Sequence, residues 1–193
     1  MRLRQVVTMA VLVASLAAKP AAGADRDWAV TVFEGTLSNG LMNEMLRLQG
    51  GLNDDYHLWV VGVSKRLASW KPYLDFEGEG QVAKHTQGQH HWEFNGLFSL
   101  RWLPFPWDAY LDTNTAFGIG LSYATEPPPF EVDSQGDNPR LLVYLQAETE
   151  LGLPAFPQWT AVCRIHHRSG MFGTFGDMTE ASNALCIGLR YRF

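Results

Sequence analysis

Residues 163–193 read CRIHHRSGMFGTFGDMTEASNALCIGLRYRF: an alternating run, a glycine-rich connection, and a second alternating run closing on Phe193. In the second run Leu185, Ile187, Leu189, Tyr191 and Phe193 share one parity, and Ala184, Gly188, Arg190 and Arg192 share the other. A period of two means a strand, whose successive side chains point to opposite faces. One face of this strand is apolar and the other carries arginine. That split recurs along most of the chain.

Leu141, Val143, Leu145, Ala147, Thr149 and Leu151 alternate with Leu142, Tyr144, Gln146, Glu148 and Glu150, and Trp92, Phe94, Phe98, Leu100 and Trp102 alternate with Glu93, Asn95, Ser99 and Arg101. The alternation predicts eight strands, near 27–35, 56–66, 70–82, 91–103, 108–124, 139–151, 158–169 and 182–193. Short turns (67–69, 104–107 and 152–157) alternate with longer connections (36–55, 83–90 and 125–138), with a short helix expected over 41–48. The pattern predicts an all-β fold, an eight-stranded antiparallel transmembrane β-barrel with apolar residues outside and charges within. Asp75, Glu77, Glu79, Glu93, Glu148 and Glu150 would meet Arg101, Arg164, Arg168, Arg190 and Arg192 in the lumen, since buried charges must be paired. Eight strands leave space for side chains and not for a channel. A lipocalin-like soluble barrel is the alternative, and it calls for an apolar lumen. Trp59, Trp70, Trp92, Trp102, Trp107 and Trp159 fall near segment ends, as interface girdles do.

The chain has 193 residues, and its first 24 read as an export signal. Arg2 and Arg4 precede an apolar run from Val6 to Ala18, and Ala22-Gly23-Ala24 offers a small-residue cleavage site. The mature barrel domain is then 25–193. Removing Arg2, Arg4 and Lys19 with no acid takes the formal charge from −5 to −8, which argues against nucleic acid as a partner. No apolar run approaches the roughly 20 residues of a membrane helix. Localisation in a bacterial outer membrane follows, and a homo-oligomer is compatible with a lipid-facing belt.

Cys163 and Cys186 fall on opposite faces by parity, so both are expected to be free thiols. His167 and Ser169 share the outward face of Trp159, Ala161, Cys163 and Ile165, whereas Arg164, His166 and Arg168 point inward. With short turns in the periplasm, this pair lies at the outer end of the seventh strand, level with the outer leaflet. An imidazole beside a hydroxyl can act as base for a serine nucleophile, and an acid then orients the ring; Asp177 and Glu180 are the candidates. His85, His90, His91, His166 and His167 show no metal-type spacing, and no G-x-S-x-G elbow of a soluble hydrolase occurs. No metal or other cofactor is expected.

The His167-Arg168-Ser169 pattern on the penultimate strand, with Glu180 following, resembles the lipid A 3-O-deacylase (PagL-like) family. The stretch GIGLSYATEPPPFE, from Gly118 to Glu131, is similar to that broader family's fifth strand and loop. The resemblance implies Ser169 as nucleophile, His167 as base and Glu180 as third member. The partner would be lipid A, or lipopolysaccharide, of the outer leaflet. Gly170 stands where the family usually has asparagine, and the interval from Ser169 to Glu180 is slightly shorter than the family's. A backbone N–H at Gly170 or the side chain of Asn183 could serve an oxyanion. A non-catalytic structural or adhesive barrel with long binding loops is the alternative function.

Overall fold

The computed structural model describes residues 26–47, 49–135, 139–171 and 181–193. The expected leader, Asp177 and Glu180 lie outside them. The strands are β1 (Trp28–Ser38), β2 (Leu52–Trp70), β3 (Leu74–Gln87), β4 (Trp92–Trp102), β5 (Asp112–Ala124), β6 (Leu141–Gly152), β7 (Trp159–Ser169) and β8 (Ser182–Arg192). Each is antiparallel to its chain neighbours, and β1 pairs with β8, so the sheet closes into a barrel without a free edge.

All eight expected strands form, with corrected boundaries. β2 and β3 are longer than the alternation suggested, and their turn sits at 71–73 instead of 67–69. The connection expected over 83–90 shrinks to 88–91, because β3 continues pairing through Lys84 with Trp92. The supposed tight turn at 104–107 runs from 103 to 111. The expected helix over 41–48 is the shorter α1 (Met42–Leu46), and a second helix, α2 (Pro129–Gln135), occupies the 125–140 connection. This second helix was not expected; Pro129 opens it and Glu131 lies in its first turn.

The barrel is apolar outside and charged inside. Phe94, Phe98, Leu100, Phe117, Ile119, Leu121, Ile187 and Leu189 are exposed on the outer face. Inside, Arg101 grips Glu77 with two bonds, Nε to Oε1 at 3.1 Å and Nη2 to Oε2 at 2.8 Å, and also reaches Glu148 at 2.8 Å. Arg164 holds Glu79 in the same two-pronged way, at 2.9 and 3.1 Å. Arg190 and Arg192 both close on Glu150. The expected lumenal pairing with arginines forms for Glu77, Glu79, Glu148 and Glu150. Asp75 instead pairs with Arg66 and Lys71, Arg168 with Glu131, and Glu93 with His85 and His166. A lumen so charged fits the membrane reading over the soluble one. A smaller apolar cluster, Phe33, Leu37, Leu58, Val60, Ala83, Ala184 and Cys186, fills the β1–β3/β8 side.

The aromatic residues mark two levels. Trp28, Trp70, Trp102, Trp107 and Trp159 ring the end that carries the 71–73, 103–111 and 153–158 connections, and Tyr191 packs on Trp159 at 4.7 Å. At the other end Trp59 and Trp92 stand level, each paired across the sheet with Lys84. The ten-residue rise from Trp92 to Trp102, at about 3.4 Å per residue and a tilt near 40–45°, spans about 25 Å. That is the height of the apolar band of a membrane barrel.

Candidate functional site

β7 carries Arg164, His166 and Arg168 into the lumen and Cys163, Ile165, His167 and Ser169 to the outer face. Cys163 is exposed and Cys186 buried, both as free thiols on opposite faces, as parity required. The outward reading of His167 and Ser169 needs one correction: neither is bare to lipid. They are 3% and 6% exposed. The segment between β1 and β2 folds back over the outer wall and lays α1 on β7 and β8.

The local sequence explains how this segment docks. Ser38 Oγ accepts from Gly40 N–H and donates to the Gly51 carbonyl, both at 3.0 Å, drawing the two ends of the loop together. The ends then approach so closely that a Cβ on Gly40 would lie 2.7 Å from the Gly50 Cα. Glu44 reaches back to the Leu41 N–H at 2.9 Å and closes the first turn of α1. Met45 is buried against the wall while Leu41 and Leu46 stay exposed.

Asn183 is the residue whose role the sequence did not disclose. It lies directly across from His167 in the β7–β8 register, on the same outer face. Its Nδ2 donates to the Gly40 carbonyl at 2.9 Å, so its Oδ1 is turned to the His167 Nδ1 at 2.7 Å. An amide oxygen only accepts, so Nδ1 carries the ring hydrogen and Nε2 is the acceptor of the neutral imidazole. Asn183 thus fixes the ring tautomer of His167. Ser169 sits two residues further along the same face, about 6.6 Å along the strand.

Beside this cluster the outer wall is hollowed. Small residues Ala147, Thr149 and Cys163 sit between the larger Leu100, Trp102, Phe117, Ile165 and Leu185, leaving a groove of about 430 Å³ that runs under Met45 and Leu46. Its lining is mostly apolar, and it runs from the seventh and eighth strands across to the third. Inside the wall, His166 belongs to a different cluster. Its Nε2 lies 3.0 Å from Glu93, which also holds His85 at 2.8 Å, and His91 stacks on His85 with ring centroids 4.1 Å apart. Burial, together with the neighbouring His85, pushes the imidazole of His91, in the connection after β3, down to about 3.

The fold defines the class: a closed eight-stranded barrel of the outer-membrane type. Among solved structures, that of the outer membrane enzyme PagL is similar with a TM-score of 0.58 and 12% identity, over 86% of this chain and 99% of that one. A designed transmembrane β-barrel is similar with a TM-score of 0.52 and 11% identity, over 88% of this chain and 98% of that one. The Neisserial surface protein NspA gives a TM-score of 0.51 and 11% identity, over 86% of this chain and 97% of that one. At these identities the likeness is one of fold. No protein-family model matches the chain, and no curated protein matches it in sequence.

Proposed function

We propose that the protein is a bacterial outer-membrane hydrolase that removes an ester-linked acyl chain from lipid A. The observation that carries this reading is His167, held by Asn183 in the tautomer of a base, on the outer wall beside Ser169 and an apolar groove. Ser169 Oγ attacks the ester carbonyl while His167 Nε2 takes its proton. The same proton passes to the departing sugar oxygen, leaving an acyl-enzyme. Water, deprotonated by the same ring, then releases the fatty acid and restores the serine. The groove offers the departing chain an apolar bed, and the fold likeness to the outer membrane enzyme PagL supports the placement of chemistry on such a barrel. No cofactor enters these steps.

Glu180 enters as the acid that stabilises the imidazolium, and Asn183 as the group that orients the ring, much as an asparagine does beside the histidine of papain-like proteases. The loop end faces the cell exterior, so the lipid met there is lipopolysaccharide. A non-catalytic barrel is the second reading, favoured by the 6% exposure of Ser169.

Mass spectrometry of lipid A from cells expressing the wild type or Ser169→Ala separates the two. Wild type is expected to yield lipid A one acyl chain short, and Ser169→Ala, present as an equally abundant folded barrel, to leave it intact. Fully acylated lipid A in both strains refutes the enzyme reading in favour of the second.

A further inference from the structure

The acids buried in the lumen fall into two chemical groups. Asp75, Glu77, Glu79, Glu131, Glu148 and Glu150 each have an arginine nitrogen within 4 Å. Glu93 is different. It is fully buried, and its ion-pair partners among the described residues are two histidines, His85 and His166. The third histidine of the cluster, His91, is 2% exposed, and neither of its ring nitrogens has a hydrogen-bond partner. Leaving a buried polar group unmet costs on the order of 1–3 kcal/mol. Both nitrogens of one buried ring stand unmet beside a carboxylate that, among the described residues, has no arginine or lysine ion-pair partner, and that combination points to a place for a cation.

We infer that His85, His91 and Glu93 form a lumenal binding site for a divalent transition-metal ion of the zinc class. One ligand atom from each lies within 4.8 Å of the others. Tetrahedral coordination at bonds of about 2.0–2.1 Å wants ligand atoms about 3.4 Å apart, a contraction that side-chain rotation supplies. Two imidazoles and a carboxylate suit zinc and its neighbours and disfavour calcium or magnesium, which prefer oxygen. The surrounding groups already brace the ligands. His166 Nε2 and Ser122 Oγ donate to Glu93 Oε1 at 3.0 and 2.9 Å. Gln89 Nε2 lies 2.8 Å from His85 Nδ1. Metal loading moves the His85 ring hydrogen from Nε2 to Nδ1, and Gln89 turns its amide to accept it.

The site is formed by the loop-end continuation of the β3–β4 hairpin. His85 N–H donates to the His91 carbonyl at 3.1 Å, and the backbone N–H of Phe130 in α2 donates to Gln89 Oε1 at 3.4 Å. An ion there ties β3, β4 and, through His166, β7 together at the level from which His167 projects to the other side.

The test refolds the barrel, without a histidine tag, into detergent micelles with Zn(II), with Co(II), or with a chelator. The wild type is expected to retain about one equivalent of zinc after desalting and to give the visible absorption of low-symmetry, four-coordinate cobalt. His91→Ala is expected to weaken retention by at least the 10- to 100-fold that loss of an outer-sphere partner already costs. His90→Ala, which alters an exposed neighbour, should bind as the wild type does. Wild-type barrel that folds yet retains neither ion overturns the site even if the variants fail to fold. Equal retention by His91→Ala and wild type overturns it too.

Discussion

Replacing Arg101 by methionine tests the lumen most directly. Arg101 is 1% exposed and touches Glu77, Glu148, Glu150 and Asn114. Without it the acids do not suffer equally. Glu148 keeps Arg164 and also Arg190 at 3.2 Å, and Glu150 keeps Arg190 and Arg192. Glu77 is left with Arg190 alone, at 3.8 Å. The penalty therefore concentrates on one carboxylate. Removing one partner of a buried pair costs about 3–5 kcal/mol, whereas replacing both by apolar groups of similar size is close to neutral. Arg101→Met should lower the unfolding free energy by about 4 kcal/mol, roughly a thousandfold in the equilibrium, and Glu77→Leu added to it should recover most of that loss. Urea unfolding in lipid vesicles, followed by tryptophan fluorescence, gives both values at constant slope. If Arg101→Met falls within about 1 kcal/mol of wild type, or the double variant is as unstable as the two singles summed, the lumen is not held by these pairs.

Two further outcomes bear on the site and the wall. Under the proposed mechanism, Asn183→Leu should leave the barrel folded but free the imidazole to choose its tautomer, so any deacylation of lipid A should fall on the order of 10²-fold, with Asn183→Asp retaining more activity because a carboxylate still accepts from Nδ1; equal rates in all three proteins would remove Asn183 from the mechanism. Gly120→Ala should abolish the folded, heat-modifiable band on gels, because a Cβ there would sit 2.0 Å from the Gly96 carbonyl oxygen, whereas Gly80→Ala meets nothing within 4 Å and should fold normally. Folding of Gly120→Ala would show that the strands do not approach as closely as described.

The sites differ in how far the sequence disclosed them. The parity of β7 separated His167 and Ser169 from His166 and Arg168 correctly, because period two is a property of the backbone and needs no partner. The cover over them was not legible. It depends on Gly40 and Gly50 meeting and on Asn183 capturing the Gly40 carbonyl across 143 residues. The histidine cluster failed to appear for a related reason. His85, His91 and Glu93 share one parity, but treating 83–90 as a loop broke the register that sets His85 opposite His91 and beside Glu93. Strand ends rich in Gln, His and Gly carry little alternation, so the length of β3 depends on pairing with its neighbour and not on its own composition.

The alternation ending at Phe193 by itself determined a closed barrel of eight strands, the inward arginines and acids, and the outward side of His167 and Ser169. Each of these follows from side-chain parity and the demand that buried charge be neutralised. Only the tertiary structure decided the register, the fold of α1 over the outer wall, the orientation of His167 by Asn183, and the meeting of three histidines with Glu93. Those are contacts between segments far apart in the chain, and their energies exist only once the barrel has closed.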